Sequence, residues 1–243
     1  MEDGGHAAVV LSDRAQLLTL RIDRTPRGAI SGVSIAQART VPDPPVEDGL
    51  ADTEGLAIAP DGKIFMAFEG RSLIAEYRGS TTPPRPLPIP DAFDDLGSNR
   101  GLESVASAPD GAIWTVPESH RGGLMRTFTW RDGAWLDGPD LPDDGSAFVP
   151  VGLDFDDAGR LYALERRFLG PFGFASRLRR FTLVDGTLTK TETLLETDPG
   201  QHDNLEGLAI WHDNTGRLIS TMISDDNFFA LQRTELVEYV LPE

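Results

Sequence analysis

The chain has 243 residues, and 39 acidic residues outnumber 22 Lys and Arg residues, which gives a formal net charge of −17. This balance argues against nucleic-acid binding, because phosphates require a basic surface. Cysteine is absent, which excludes disulfides and thiolate metal sites, and no apolar run reaches the length of a membrane span. One repeat runs from end to end, so we predict a single domain over residues 1–243.

The amino end carries three predicted strands, Ala7–Leu11, Gln16–Asp23 and Ile30–Thr40. Comparison with the later units predicts a further, innermost strand before Ala7, for which only a few residues remain. The first six residues lack the apolar segment of a signal peptide, so none is predicted in this chain.

Residues 52–69 contain the clearest pattern, two short apolar strands joined by a Pro-Asp-Gly turn. Proline presets φ for a turn and glycine tolerates positive φ, so the turn has a physical basis. Glu54 lies near the start of the first strand and Glu69 follows the second. The start of the first strand of an antiparallel hairpin lies beside the end of the second, so we predict both acids at one edge of the sheet.

The hairpin returns at residues 102–118, 151–165 and 204–226, although Gly152 replaces the first acid of the third copy. The four turn glycines are separated by 49, 48 and 57 residues (111−62, 159−111, 216−159). Several short strands per unit at this period predict an all-β fold, a β-propeller of five visible four-stranded units. Six blades are an alternative that requires a unit hidden in the sequence. The first unit lacks its beginning and the last its end, so we predict closure of the ring by the two termini.

The first strand of each propeller blade lines the central channel, so the recurring acids are predicted to face one mouth of it. Carboxylates that converge cannot all stay ionised when partly desolvated; some are protonated, or Arg offsets them, or a hard cation binds them. Ca²⁺ takes six to eight oxygen ligands, whereas Zn²⁺ is less favoured in a chain with no Cys and only four His. The alternative is that these acids are solvated or cap turns. The predicted metal ligands are Glu54, Glu69, Glu103, Glu118, Glu165, Glu206, Asp225 and Asp226, with Asp13 in the same set.

Catalytic candidates come from the same set. Glu54, Glu103 or Glu206 would act as a general base, and Arg166 would hold an anionic substrate group, although it could instead pair with neighbouring acids. His202 and His120 are weaker candidates as proton carriers. Neither a Gly-x-Ser-x-Gly motif nor a phosphate-binding loop occurs in the sequence.

Five segments of the chain resemble the phytase-like family of bacteria, also called "esterase-like activity of phytase". They are Asp52-x-Glu54-Gly55-Leu56-Ala57, Asn99-Arg100-Gly101-Leu102-Glu103, Leu164-Glu165-Arg166, Asn204-Leu205-Glu206-Gly207-Leu208 and Ser224-Asp225-Asp226-Asn227-Phe228. The resemblance implies a β-propeller, an exported protein that is periplasmic or secreted, and a phosphoesterase or esterase activity on a small anionic or ester substrate. A cytoplasmic protein is the alternative location.

Three functions are therefore compared. The first is a Ca²⁺-dependent hydrolase of phosphate or related esters, in which the cation would polarise the scissile group. The second is a lactone hydrolase similar to the gluconolactonase-type propellers, and the third is a propeller that binds a ligand without catalysis.

Overall fold

The computed structural model describes residues 1–42, 44, 53–68, 72–79, 82–96, 101–102, 104–117 and 123–243. Strands dominate these residues, and five small antiparallel sheets form the blades of a β-propeller. This confirms the predicted fold class and the count of five units. None of the described helices is long and apolar enough to cross a membrane.

The first two blades contain seven strands. These are β1 (Ala7–Ser12), β2 (Gln16–Arg24), β3 (Ile30–Thr40), β4 (Thr53–Ile58), β5 (Ile64–Phe68), β6 (Leu73–Tyr77) and β7 (Arg85–Pro86). The third blade follows a 3₁₀ helix at Asp91–Leu96. The strands between this helix and residue 142 are β8 (Ser104–Ser107), β9 (Ile113–Val116), β10 (Leu124–Met125), β11 (Phe128–Arg131), β12 (Ala134–Asp137) and β13 (Leu141–Pro142), of which β8, β9, β11 and β12 form the blade.

The last two blades are more regular. Their strands are β14 (Val149–Phe155), β15 (Leu161–Phe168), β16 (Phe174–Val184), β17 (Thr187–Glu196), β18 (Asn204–His212), β19 (Leu218–Asp225) and β20 (Leu236–Val240). The three middle blades have four strands each, whereas the first and last have three, and β10 pairs with β13 in a small extra sheet. Short 3₁₀ turns also occur at Asp3–Gly5 and Gly170–Phe172.

The predicted turns form as expected, because their glycines adopt the left-handed backbone conformation. Gly62, Gly111, Gly159 and Gly216 have φ values of 82°, 84°, 77° and 83°. Residues with a side chain rarely adopt such angles, which is why glycine recurs at these four positions.

Apolar side chains between neighbouring sheets hold the blades together. Phe65 of the second blade packs in one cluster with Val105 of the third, and Trp114 of the third packs with Leu161 of the fourth. Removing a side chain of this size from water contributes about 1.5–3 kcal/mol. The core is thus divided among the blade interfaces, and the inner strands β1, β4, β8, β14 and β18 remain around the axis.

The start of the chain differs from the prediction. The residues before Ala7 form a 3₁₀ turn and one bridge between Glu2 and Ala7, not the expected innermost strand. The termini form two separate sheets, β1–β3 and β18–β20, and closure of the ring by a shared blade is not shown. These sheets nevertheless touch, because Arg24 donates two hydrogen bonds of 2.7 Å to the carboxylate of Glu238.

Asp154 links the inner strands of the last two blades. Its carboxylate accepts the backbone N–H of Ile210 at 2.6 Å and that of Phe155 at 2.8 Å. Burial raises the pKa of Asp154 to about 6, although these two hydrogen bonds oppose the rise. The group is therefore protonated in the folded protein over a pH range in which an unfolded Asp, with a pKa of about 3.9, is already ionised.

We expect the stability of the protein to fall as the pH rises from about 4 to 6, by at most about 3 kcal/mol from this group. The reason is that unfolding releases a proton in this window, so a higher pH favours the unfolded state. NMR titration of the Asp154 carboxyl should give a midpoint near 6, and Asp154→Asn should remove this part of the pH dependence. A midpoint near 4 would contradict the assignment.

Candidate functional site

A cavity of about 370 Å³ lies on the axis, where the inner strands of the blades converge. Its walls are mostly apolar, with residues such as Leu56, Val105 and Leu208. Five carboxylates also line it, namely Asp13, Glu54, Glu206, Asp225 and Asp226. Four of these were predicted as metal ligands, and Asp13 was in the same predicted set.

The hairpin pairing explains why acids from different strands meet here. In the last blade Asn204, at the start of β18, lies directly opposite Asp225, at the end of β19. The pairing register then shifts between Leu205 and Gly207, which forms a β-bulge, and Glu206 lies within it. A bulge re-aims a side chain, and here Glu206 is among the residues that line the cavity.

Glu206 is held by two neighbours. Arg166, on β15 of the preceding blade, donates through Nη1 to Glu206 Oε1 and also to Asn204 Oδ1 at 2.6 Å. The side-chain amide of Asn204, which is fully buried, donates to Glu206 Oε1 at 2.8 Å. The carboxylate is therefore oriented by both a cation and an amide.

Burial raises the pKa of Glu206, and the charges of Asp225 and Asp13 add to the rise, whereas Arg166 and Asn204 oppose it. Burial also raises the pKa of Asp225, with further contributions from Asp13 and Asp226. These carboxyl groups interact, so they do not ionise independently. Groups of this kind can accept a proton nearer to neutral pH than an exposed carboxylate can.

The remaining predicted residues are placed differently. Glu165 does not line the cavity; it is fully buried against Arg177 and Arg179. Arg166 does not line it either, and it contacts the site through Glu206. The predictions for Glu69, Glu103 and Glu118 fall outside the described residues. Over the part of the chain that is described, no three acidic or histidine side chains are grouped so that they could hold a metal ion.

His202 lies outside the cavity, on the outer part of the last blade. Its Nε2 is 2.6 Å from the hydroxyl of Tyr239, and its Nδ1 is 3.5 Å from the carboxylate of Glu235. Tyr239 lies on β20 and Glu235 directly precedes it, so the contacts of His202 stabilise the position of that strand. His120, the other histidine candidate, is outside the described residues.

Residues 1–228 match the family model described as phytase-like, esterase-like activity of phytase. The chain belongs to this family. The match covers all five blades up to the loop after β19, so it includes every cavity carboxylate. No curated protein matches the sequence.

Solved structures with the same fold are distant in sequence from this phytase-like protein. A gluconolactonase from Xanthomonas campestris is 17% identical with a TM-score of 0.53, and the alignment covers 97% of this chain and 72% of that one. The PQQ-bound aldose sugar dehydrogenase from Streptomyces coelicolor is 19% identical with a TM-score of 0.52, covering 84% and 63%. A virginiamycin B lyase from Staphylococcus aureus is 14% identical with a TM-score of 0.47, covering 100% and 72%. For the gluconolactonase and the aldose sugar dehydrogenase the likeness concerns the fold alone.

Sequence reasoning missed Phe228 at the rim of the cavity. Phe228 and Asn227 both have positive φ, 50° and 47°, and the Phe228 ring is 65% exposed. Arg14 lies over this ring at 3.9 Å from its centre. Positive φ is uncommon for a bulky residue and marks local strain, a feature often found near binding sites. The feature of the sequence that could have indicated Phe228 is an aromatic residue close behind the acids that end β19.

Gly152 has a role that the sequence did not reveal. It replaces the first acid of its hairpin, and a Cβ there would lie 2.5 Å from the backbone carbonyl oxygen of Glu206. Glycine thus permits β14 to approach β18 closely at the position that carries Glu206. The missing acid is explained by close backbone packing.

We expect Gly152→Ala to destabilise the phytase-like protein by about 1–3 kcal/mol, because the new methyl group overlaps fixed backbone. The strain should be relieved by a shift of β18, which would also displace Glu206. Denaturant unfolding measures the first effect, and titration of the Glu206 carboxyl by NMR reports the second.

Gly32→Ala is the matched control, because the nearest side-chain atom to its Cβ is 3.5 Å away, an ordinary contact. We expect it to be near neutral. Equal stability of the two variants would contradict the proposed packing role of Gly152.

Proposed function

We propose that the protein is a hydrolase of ester bonds, with the reacting group held beside Glu206 at the carboxylate end of the axial cavity. The observation that carries this proposal is the set of contacts at Glu206. Its carboxyl has a raised pKa, is oriented by Arg166 and Asn204, and lies in a cavity that can hold a small molecule. Membership of the phytase-like family supports the same class of reaction.

Glu206 would act as the general base. It would accept a proton from water while the water oxygen bonds to the acyl carbon. The bond between the acyl carbon and the alkoxy oxygen would then break, and the alcohol would leave with the proton that Glu206 returns. Arg166 is a positioning residue in this scheme, because its guanidinium fixes the Glu206 carboxylate. Burial raises the pKa of Glu206, with smaller contributions from the charges of Asp225 and Asp13, which makes it a stronger base than an exposed carboxylate.

The charges around the cavity favour an uncharged substrate over a phosphate ester. Five carboxylates and no Lys or Arg line the cavity within the described part of the chain. A phosphate monoester would be repelled by such a surface, whereas a carboxylic ester or lactone would not. The apolar walls, which include Val9, Val105 and Leu208, would contact its hydrocarbon part.

A Ca²⁺ ion is proposed at Glu206 and Asp225, since carboxylate oxygens are the donors it prefers. The described residues alone do not provide a complete ligand set, so the proposal also needs Glu103, Glu69 or Glu118. When bound, Ca²⁺ would polarise the ester carbonyl. It would also remove the repulsion of phosphate esters, so the substrate preference is expected to depend on Ca²⁺.

The test is a comparison of aryl carboxylic esters, lactones and aryl phosphates, each with added Ca²⁺ and with a chelator. We expect turnover of the carboxylic esters or lactones. A lactone preference would favour a reaction like that named for the Xanthomonas campestris gluconolactonase, which shares the fold. Turnover of phosphates alone would contradict the argument from charge, and Ca²⁺ binding without turnover of any class would favour a binding protein.

A further inference from the structure

Phe228 lines the axial cavity from the loop that joins β19 to β20. Because this residue is 65% exposed, packing against the rest of the protein contributes little to holding its ring in place. Its backbone is also unfavourable, since Asn227 and Phe228 both have the positive φ values that residues with a side chain rarely adopt. Neither the exposed ring nor the backbone conformation of Phe228 therefore favours the folded state.

The acids at the end of β19 hold the loop in this conformation. The N–H of Asn227 donates to Asp225 Oδ1 at 3.1 Å, and the N–H of Phe228 donates to Asp226 Oδ1 at 3.0 Å. The second carboxylate oxygen of Asp226 accepts the hydroxyl of Thr234 at 3.0 Å, from the other end of the loop. Both oxygens of Asp226 are thus bonded within the loop, and they fix Phe228 at the cavity.

Arg14 covers one face of the Phe228 ring. Its guanidinium carbon lies 3.9 Å from the ring centre, within the distance of a cation–π contact. Arg14 lies in the turn between β1 and β2, directly after Asp13, which lines the cavity. The ring is therefore held between the first and last blades, with one face covered and the exposed part left for a ligand.

The next residue, Phe229, shows that exposure alone does not explain these features. Phe229 is 57% exposed, but its φ is not positive and it does not line the cavity. Single exposed apolar residues of this kind are common on protein surfaces and need no functional explanation. Phe228 differs from Phe229 in both respects, and residues held in strained conformations cluster at sites that bind ligands.

We propose that Phe228 is a specificity-determining residue, which stacks against a planar, uncharged ring of the substrate at the cavity. The proposal rests on the proposed ester hydrolysis, because it names a group that the substrate carries beside its ester bond. Aromatic pairs gain a stabilising contribution beyond the area that they bury, so a flat ring binds better than a saturated ring of the same size. The carboxylates of Asp13, Asp225 and Asp226 disfavour an anionic ring.

The test compares the hydrolysis of benzyl acetate and cyclohexylmethyl acetate, which share a carbon skeleton but differ in the flatness of the ring. We expect Phe228→Leu, which keeps an apolar side chain, to lower kcat/KM for benzyl acetate about 3- to 10-fold, as for the loss of one aromatic contact. The value for the saturated ester should change less than about twofold, because it makes no such contact. Phe229→Leu is the matched control and should leave both values unchanged.

A binding measurement separates this proposal from the proposed activity. N-Benzylacetamide carries the same ring but an amide in place of the ester, so calorimetry can measure its Kd without turnover. We expect Phe228→Leu to raise this Kd about 3- to 10-fold, and Phe228→Tyr, which keeps a ring, to leave it within about twofold. Arg14→Lys keeps the positive charge beside Asp13 but removes the flat guanidinium, and it should also raise the Kd.

Equal effects of Phe228→Leu on the benzyl and cyclohexylmethyl compounds would overturn the proposal, as would the same loss in Phe229→Leu. Failure of the original protein to bind N-benzylacetamide would also overturn it. If the Kd depends on the Phe228 ring but no ester is hydrolysed, the ring site is supported and the hydrolase is wrong. If esters are hydrolysed with no dependence on this ring, the hydrolase is supported and the ring site is wrong.

Discussion

Replacing Glu165 with glutamine should lower the free energy of unfolding by about 3–5 kcal/mol. Glu165 is fully buried and binds two buried guanidinium groups: Arg177 Nε donates to it at 2.6 Å and Arg179 Nε at 2.9 Å. Glutamine has nearly the same shape but no charge, so Arg179 would lose its buried counterion, whereas Arg177 would keep its second ion pair, with Asp144. A buried charge that loses its partner is costly because water cannot solvate it.

Asp137→Asn is the control for this experiment. Asp137 pairs with Arg126 at 3.0 Å, but its side chain is 77% exposed, so the loss should be below about 1 kcal/mol. Urea unfolding at constant pH and ionic strength measures both variants. A loss at Glu165 as small as that at Asp137 would show that the cluster does not depend on its central charge.

Replacing Glu206 with glutamine should reduce kcat/KM for the preferred ester at least about 100-fold, because a general base contributes about that factor or more. The same change should reduce the thermal stabilisation that the proposed Ca²⁺ site predicts, since a ligand stabilises only the state that binds it. Steady-state kinetics and thermal unfolding with and without Ca²⁺ measure the two effects on one sample.

Without added Ca²⁺, Glu206→Gln should be as stable as the original protein or more stable. The reason is the raised pKa of Glu206, which means that its ionised form is disfavoured in the folded state, and glutamine removes that penalty. Glu196→Gln, at an exposed position of β17, is the control and should leave activity unchanged. Unfolding of Glu206→Gln, or full activity in that variant, would contradict the assigned role.

The repeat made most of the fold predictable. The hairpins could be predicted from the four Gly-containing turns and the apolar strands beside them, because turn chemistry and strand periodicity are local properties of the sequence. The fourth strand of the second blade is limited to Arg85–Pro86. Proline cannot donate a hydrogen bond, so the pairing in this proline-rich segment is short.

The candidate site was predicted less completely, since it depends on which groups pair across the fold. The repeat predicts Glu54, Glu206 and Asp225 in one region, because equivalent positions of a repeat lie on one face, and all three line the axial cavity. It also placed Glu165 in the set, but this carboxylate points to Arg177 and Arg179 of the adjacent strand β16. Such pairing is set by the register of β15 and β16, which the hairpin pattern does not reveal.

The ion pair between Arg24 and Glu238 joins residues that are 214 positions apart. During synthesis Glu238 emerges only after the chain has grown by 214 residues beyond Arg24. The middle blades can pack on their neighbours as they appear, but the first blade must wait for the last one before its outer side is covered. The first blade is therefore the part of the nascent protein that is longest exposed to chaperones, proteases and aggregation.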